Sequence, residues 1–295
     1  MLENMNVLIM GGDARHLIVM KHLADQGAQI YLIGYETATI NHESIHKTTE
    51  KKLDFSMLDA IVLPVGGTNL EGKMEATYAT SEVKLTHDMI AKTPEHCVIY
   101  TGTTNAYLES LAKSHKRSLV VLFARDDLAI YNSIPTAEGT LHLAIEETDH
   151  TIHGSNVFIL GFGRVGMTVA QTFYAMGAKV SVAARRSEDL ARIYQLGYQA
   201  IKLADLKQHL TDIDLCINTI PYLILNKDVI SVMNPNTLII DLASAPGGTD
   251  FNFAQQKGIK AIHALGLPGK TAPKSAGLII GKVLLDLLVE QHNKS

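Results

Sequence analysis

A strand, a glycine-rich turn and the start of a helix follow one another in residues 157–166, which read VFILGFGRVG. The apolar run 157–160 predicts a buried strand, and the apolar spacing after the glycines predicts an amphipathic helix. In this context Gly161 would permit a tight turn, Gly163 would let the backbone approach a pyrophosphate, and Gly166 would let helix and strand pack closely. The helix N-terminus adds unpaired N–H groups and the positive end of its dipole. We therefore predict a dinucleotide-binding unit here.

The end of the next strand favours NADP over NAD. Strand 179–183 is followed by Ala184, where an NAD site usually has an acidic residue for the ribose 2′-hydroxyl, and then by Arg185 and Arg186. Two guanidinium groups would attract a 2′-phosphate that an acid would repel, and Ser187 adds a hydroxyl donor. A solvated basic turn is the alternative interpretation.

Two later strands, 215–218 and 237–241, should end at the sheet edge where a nicotinamide ring rests. The cofactor contacts that we expect come from the glycine loop, the arginine turn and these strand ends: Gly161, Phe162, Gly163, Arg164, Val165, Gly166, Arg185, Arg186, Ser187, Asn218, Thr219, Ile220, Pro221, Leu242, Ala243 and Ser244.

The first half of the chain opens with a second strand–glycine–helix pattern that departs from this fingerprint. Strand 7–10 runs into Gly11 and Gly12, but Asp13 and Arg15 stand where a pyrophosphate-binding loop would have small or neutral residues. We therefore predict a doubly wound domain with another task.

Strands 60–64 and 97–100 of this half also end in polar loops, which should share one edge of a parallel sheet. Hydroxyl, amide and guanidinium groups suit an anion such as a carboxylate, although glycine, threonine and asparagine are also ordinary turn formers. The candidates for this anion site are Arg15, Thr68, Thr103, Thr104 and Asn105.

The polar segment 125–139 leads into a helix that would join the two halves. We expect Asn132 or Ser133 to cap this helix and Pro135 to lie in its first turn. A later glycine- and proline-rich stretch contains Lys270, which is either a ligand or proton-transfer group at a cleft, or a solvated loop lysine.

These patterns predict an α/β protein with two doubly wound, Rossmann-like parallel-sheet domains and an interdomain cleft. The predicted parts are a substrate-side domain 1–132, a connecting helix 133–149 and an NADP-binding domain 150–273. The C-terminal helix 274–293 is expected to pack back on the first domain.

Composition limits the classes of function. The chain has 295 residues, 46% of them hydrophobic and 19% charged, which is a globular balance. A net charge of −4 gives no electrostatic case for nucleic acid or an anionic membrane. Signal-peptide and membrane-span patterns are absent, the histidines are scattered, and Cys97 and Cys216 lie in apolar surroundings. We therefore expect a cytoplasmic protein with buried free thiols and no bound metal.

Six segments together resemble the A subunits of bacterial dipicolinate synthase, and they span nearly the whole chain. The polar linker and the DLASAPGGTDF segment are the most specific, because generic dinucleotide-binding domains lack them. The segments are GGDAR, RDDLAIYNSIPTAEG, TIHGSNVFILGFGRVGMT, CINTIP, DLASAPGGTDF and GLPGKTAPKSAG.

The resemblance implies oxidation of dihydrodipicolinate to dipicolinate with NADP as hydride acceptor, in the mother cell of a sporulating bacterium. It also implies a separate, flavoprotein-like B subunit. A ring with two carboxylates needs two anion-binding points, and the second would be formed by Ser133, Thr136 or Lys270. The candidates for a general base, which the sequence does not rank, are Glu138, Asp127 and Lys270.

Two other functions stay open at this point. One is an NADP-dependent dehydrogenase of another small carboxylic acid, shikimate-like or hydroxy-acid-like. The other is a non-catalytic NADP-binding subunit of a complex. The apolar last helix is also consistent with a homodimer.

Overall fold

The structure is a computed structural model that describes residues 1–293. It divides into two compact units. The first contains residues 1–129 and the chain from Pro273 onward, and the second contains residues 130–272.

The first unit is built on a six-stranded parallel sheet with flanking helices, together with a two-stranded antiparallel hairpin. Its strands are β1 (Asn6–Met10), β2 (Gln29–Ile33), β3 (Ile45–Lys47), β4 (Ala60–Val62), β5 (Lys73–Met74), β6 (Val83–Lys84), β7 (Val98–Thr101) and β8 (Ser118–Val121). Its first three helices are α1 (Ala14–Asp25), α2 (His87–Ala91) and α3 (Ala106–Ser114). The sheet order β3-β2-β1-β4-β7-β8 is that of a doubly wound fold.

A long helix, α4 (Asp126–Glu147), follows, and its start corrects the prediction that Asn132 or Ser133 caps it. The acidic side chains of Asp126 and Asp127 lie in the first turn, where they complement the positive end of the helix dipole. Pro135 is therefore inside the helix and not in its first turn.

The second unit contains another six-stranded parallel sheet, with the order β11-β10-β9-β12-β13-β14. Its strands are β9 (Asn156–Leu160), β10 (Lys179–Ala184), β11 (Gln199–Lys202), β12 (Leu215–Asn218), β13 (Leu238–Asp241) and β14 (Ala261–His263). Its helices after α4 are α5 (Arg164–Ala175), α6 (Ser187–Gln195), α7 (Lys227–Ile230), α8 (Phe251–Gln256) and α9 (Leu267–Thr271). This strand order is the one typical of dinucleotide-binding domains, and the predicted fold class is confirmed.

The last helix, α10 (Pro273–His292), packs against α1 in the first unit, as predicted. The helices approach closely at Gly277, where a Cβ atom would lie 2.6 Å from the carbonyl oxygen of Arg15. The apolar residues Val283, Leu284 and Leu288 are buried in this contact. Because this face is used within the chain, it no longer supports a homodimer.

Both cysteines, Cys97 and Cys216, are buried and free, as predicted. Burial raises the pKa of the Cys97 thiol to about 12. Within the described residues, no helix has the length and apolar character that crossing a membrane requires.

Candidate functional site

The glycine loop after β9 has the geometry that a pyrophosphate requires. Gly161 has a φ of +96°, and a Cβ on Gly166 would lie 2.2 Å from the carbonyl oxygen of Gly161. By contrast, a Cβ on Gly163 would meet no atom within 4 Å, so the loop is open at this point. The turn, the close helix–strand packing and the open approach thus fall on three different glycines.

The first turn of α5 is left uncapped by the protein. Gly163 is its N-cap residue and has no side chain to accept a hydrogen bond. The helix is held by its buried face, which includes Val169 and Phe173. Its N–H groups are thus presented at a fixed place beside open space, and these residues fit a dinucleotide pyrophosphate.

The two predicted arginines differ in their surroundings. Arg186 donates from Nε and Nη2 to the carboxylate of Asp189, with both distances 2.8 Å. Arg185 is exposed and makes no hydrogen bond or ion pair with any described residue. Ala184 is buried at the end of β10, and Ser187 begins α6. Arg185 is therefore the guanidinium of the pair that can bind a ligand without losing a partner.

A buried carboxylate organises the sheet edge of the second unit. Asp241 is fully buried and accepts four hydrogen bonds. The donors are the Asn218 side chain at 3.0 Å, the N–H groups of Ala243 at 3.0 Å and Gly248 at 2.8 Å, and the Thr249 hydroxyl at 2.6 Å. Thr249 was not predicted at this edge, and Asp241 was predicted only as the strand end beside the nicotinamide, although an acid that ends the apolar run LIID is a sign of such a network.

This network determines how the predicted residues at the two strand ends can act. Asn218 is fully buried, and its amide also bonds to the main chain of Ile220, so its role is to shape the loop. The Thr219 hydroxyl donates to the Leu160 carbonyl at 2.8 Å. Ala243 is buried as well. The other predicted residues of this edge, which are partly or fully exposed, are Thr219, Ile220, Pro221, Leu242 and Ser244.

The first loop of the other unit is closed to a phosphate. The N–H of Gly12 donates to the Glu75 carbonyl at 2.7 Å, and the Gly12 carbonyl accepts from Thr77 at 3.0 Å. Asp13 caps α1 and forms a capping box with His16. A protein carboxylate therefore stands at the helix N-terminus, where a nucleotide phosphate would otherwise bind.

Arg15, a predicted substrate ligand, is largely buried and already paired within this loop. Its Nε lies 3.0 Å from Asp13 Oδ1, and its Nη2 lies 2.5 Å from Asp13 Oδ2. Burial raises the pKa of the Asp13 carboxyl, but hydrogen bonds from His16 and Arg15 outweigh burial and hold this pKa well below its usual range. One edge of the Arg15 guanidinium is thus committed to a charged partner.

The loops after β4 and β7 do come together, as their shared sheet edge predicts. Asn105 Nδ2 donates to the Thr68 carbonyl at 2.5 Å, and Asn105 Oδ1 caps α3 by accepting from the N–H of Leu108 at 3.0 Å. The Thr103 hydroxyl lies 3.4 Å from the Val65 carbonyl, and Thr104 is exposed beside it. No hydrogen bond or ion pair of the described residues joins Arg15 to this cluster.

The hydroxyls predicted on α4 are used inside the protein. Ser133 is buried and bonds to Thr168 Oγ1 and to the Ile130 carbonyl, both at 2.6 Å. The Thr136 hydroxyl donates to the Asn132 carbonyl at 2.8 Å. These bonds also keep polar groups satisfied in a helix whose Pro135 has no main-chain donor.

The three candidate bases differ in their availability. Asp127 bonds to Arg125, and this hydrogen bond lowers the pKa of the Asp127 carboxyl. Glu138 and Lys270 are exposed, and neither forms an ion pair with any residue that the structure describes. Helix α9, which carries Lys270, packs on α4 at Gly139, where a Cβ would lie 3.0 Å from the Leu267 Cβ.

Comparison with known proteins places this geometry in a family. Residues 6–123 match the model of the N-terminal domain of the dipicolinate synthase A subunit, and residues 134–295 match that of the alanine dehydrogenase/PNT C-terminal domain. The A subunit of dipicolinate synthase from Bacillus subtilis (strain 168) is 51% identical over 290 residues, or 98% of each chain. The chain belongs to the family of dipicolinate synthase A subunits. The resemblance found in its sequence motifs is thereby confirmed.

Solved structures agree with this membership. The dipicolinate synthase A subunit from Bacillus halodurans has a TM-score of 0.96 at 49% identity, over 98% of this chain and 99% of that one. Its counterpart from Bacillus subtilis also has a TM-score of 0.96, at 50% identity, over 100% of this chain and 99% of that one. A transhydrogenase from Sinorhizobium meliloti shares the fold, with a TM-score of 0.67 at 16% identity over 97% and 95%.

The family and the dehydrogenase domain establish the class of protein. This member of the dipicolinate synthase family is an NAD(P)-dependent oxidoreductase that acts in dipicolinate synthesis and uses a nicotinamide cofactor.

Proposed function

We propose that this chain oxidises dihydrodipicolinate to dipicolinate and transfers the hydride to NADP. The observation that supports the choice of NADP is the end of β10, where buried Ala184 replaces an acid and exposed Arg185 has no protein partner among the described residues. A free guanidinium beside the ribose would bind a 2′-phosphate. Because Ala184 stands in place of an acid, the strand end has no carboxylate that would repel this phosphate.

The chain's own residues would hold the two halves of the cofactor in different ways. The open turn at Gly163 and the uncapped start of α5 would bind the pyrophosphate. The Asp241 network would hold the loop with Leu242, Ala243 and Ser244 rigid beside the nicotinamide. When bound, the nicotinamide supplies the hydride acceptor, and the protein supplies orientation and electrostatics.

Substrate binding and proton transfer would use the remaining predicted residues. Loss of hydride and a proton makes the substrate ring aromatic, so the reaction is downhill and does not need a strong base. Of the candidate bases, Glu138 and Lys270 are the ones without an ion-pair partner among the described residues, whereas Asp127 is made a weaker base by Arg125. We assign the substrate carboxylates to residues from the predicted set Arg15, Thr68, Thr103, Thr104, Asn105, Ser133, Thr136 and Lys270.

The proposal extends to a partner and a location. The relatives of this chain are named as the A component of a synthase, so we expect a second, flavoprotein-like B subunit to complete the assembly. We expect both subunits in the cytoplasm of the mother cell during sporulation.

An oxygen-free assay tests this function. Purified chain is mixed with freshly prepared dihydrodipicolinate and either NADP or NAD, and ultraviolet absorbance follows dipicolinate and reduced cofactor together. Equimolar formation of both by the chain alone, faster with NADP, is the expected result. The assay is repeated with the B subunit added. If dipicolinate forms no faster than in a protein-free control, either with the chain alone or with both subunits, the proposed activity is wrong.

Two variants in the same assay examine the cofactor choice. Arg185→Ala should lower kcat/KM for NADP by about tenfold to 100-fold and leave that for NAD unchanged, because a charge-assisted bond to phosphate is lost. Arg186→Ala is the matched control and should have the smaller effect, since Arg186 is already held by Asp189. A larger effect at Arg186 would contradict the assignment of Arg185.

A further inference from the structure

We propose that the N-terminus of α3 and the loop after β4 form a carboxylate-binding site, in which the Thr68 hydroxyl is the specificity-determining donor. The ligand class is a small planar dicarboxylate, one of whose carboxylates binds here. That this acid is the substrate or product rests on the proposed function, whereas the site itself rests on the geometry of the first unit.

An unsatisfied hydroxyl is the first observation. Thr68 is 8% exposed, its Oγ1 is buried, and no atom of the described residues forms a hydrogen bond with it. A buried hydroxyl without a partner destabilises a fold by about 1–3 kcal/mol. Such groups are rare in native proteins, and each requires an explanation such as a role in binding a ligand.

The second observation is a set of unpaired main-chain donors in the same place. The N–H groups of Gly66, Thr68, Thr103 and Thr104 have no acceptor among the residues that the structure describes. Gly66, Thr103 and Thr104 are exposed, and a Cβ on Gly66 would meet no atom within 4 Å. A ligand can therefore approach Gly66, Thr103 and Thr104 from solvent.

The loops after β4 and β7 are joined by hydrogen bonds and close packing at the start of α3. Asn105 bonds to the Thr68 carbonyl with its amide nitrogen and caps α3 with its amide oxygen. At Gly67, a Cβ would lie 2.5 Å from the Thr103 carbonyl oxygen. Thr68, which carries the unsatisfied hydroxyl, thus lies beside the N-cap residue of a nine-residue helix, whose dipole favours an anion.

The N-termini of α3 and α1 differ in the charge of the residue that caps each helix. At α1, the Asp13 carboxylate occupies the anion position. At α3, the cap is the neutral side chain of Asn105, and the exposed carboxylate of Glu109 in the first turn bonds to none of these donors. Of these two helix starts, only that of α3 can therefore accept a carboxylate, whose two oxygens can take both the hydroxyl and neighbouring N–H groups.

Calorimetric titration of the full chain with dipicolinate tests the site, with inorganic phosphate and NADP titrated separately. The variants are Thr68→Val, which removes the hydroxyl at nearly constant volume, and Thr68→Ser, which retains it. Thr49→Val is the matched control, because Thr49 is an exposed threonine of the same unit. Thermal unfolding is measured for each protein.

A ligand role and a structural role predict different results. Thr68→Val should weaken dipicolinate binding by about tenfold or more, while Thr68→Ser and Thr49→Val bind as the wild type does. Because the variant removes an unsatisfied group, its Tm should equal or exceed that of the wild type. NADP affinity should not change in any variant.

The remaining outcomes contradict the site in distinguishable ways. Unchanged dipicolinate binding by Thr68→Val overturns the inference while the proposed activity stands. Phosphate binding as tight as that of dipicolinate, and equally lost in Thr68→Val, overturns the carboxylate assignment. A wild-type chain that binds NADP but not dipicolinate, and that fails in the oxidation assay, overturns both proposals.

Discussion

The two units share a strand order but use the first loop of the sheet in opposite ways. After β9, Gly163 leaves the start of α5 uncapped and open to solvent. After β1, Asp13 caps α1, and the segment that contains Glu75 and Thr77 bonds to Gly12. The loop after β9 can therefore bind a phosphate. The loop after β1 already holds the Asp13 carboxylate and is covered by the segment that contains Glu75 and Thr77.

This difference shows that the fold places helix N-termini where an anion could bind in both units, and that one or two residues at the helix start determine whether a ligand can bind there. Helix N-termini at the carboxyl edge of a parallel sheet always present N–H groups. In the second unit glycine leaves them free, and in the first unit aspartate satisfies them. Within the first unit the same contrast recurs between α1 and α3, since Asn105 caps α3 without bringing a charge.

The largest effect should come from giving the glycine loop the aspartate of the other unit. Gly163→Asp should weaken NADP binding by about 100-fold or more, because a carboxylate would stand beside the pyrophosphate. The backbone at Gly163 has φ −88°, which any residue can adopt, and aspartate is a good N-cap. Tm should therefore equal or slightly exceed that of the wild type.

Gly163→Asn is the control for the added charge. It introduces a cap of nearly the same shape without a carboxylate, so its loss of NADP affinity should be clearly smaller, as titration calorimetry would show. Equal losses in both variants would mean that space, and not charge, distinguishes the loops.

A smaller effect is expected from removing the charge of the first loop. Asp13→Asn should lower the free energy of unfolding by about 2 kcal/mol at neutral pH, because the hydrogen bonds between Asp13 and Arg15 lose their charge assistance. The folded-state pKa of Asp13 is depressed, so its contribution is present above the unfolded pKa of about 4 and is lost as pH falls toward the folded value.

Urea unfolding of wild type and Asp13→Asn across this range measures the contribution. The two unfolding free energies should converge as pH falls below about 4. A difference that is independent of pH would show that the capped loop is not stabilised by charge. Neither protein should gain a second nucleotide site, because Glu75 and Thr77 still bond to Gly12.

Local patterns in the sequence were sufficient to predict the fold class and the glycine turn between β9 and α5, whose binding of a cofactor is part of the proposed function. Glycine spacing between strand and helix fixes the turn after β9, and a run of adjacent residues fixes the arginine turn. The edge strands β3, β8, β11 and β14 were not predicted, because each has only three or four residues.

Side-chain contacts that only the folded chain defines account for most of what the sequence did not reveal. Asp241 is read from sequence as a strand end, and its four donors come from residues 2 to 23 positions away. The different states of Arg185 and Arg186 depend on Asp189, and the unsatisfied Thr68 hydroxyl depends on how two loops meet. The start of α4 was misplaced because the acidic first turn was less obvious than Asn132, Ser133 and Pro135.

The central claim is that only the second unit binds the nucleotide and that it selects NADP. Titration calorimetry of the wild-type chain with NADP and NAD tests both parts directly. We predict one NADP per chain, bound at least about tenfold more tightly than NAD. Two nucleotides per chain, or equal affinity for NADP and NAD, would contradict the account.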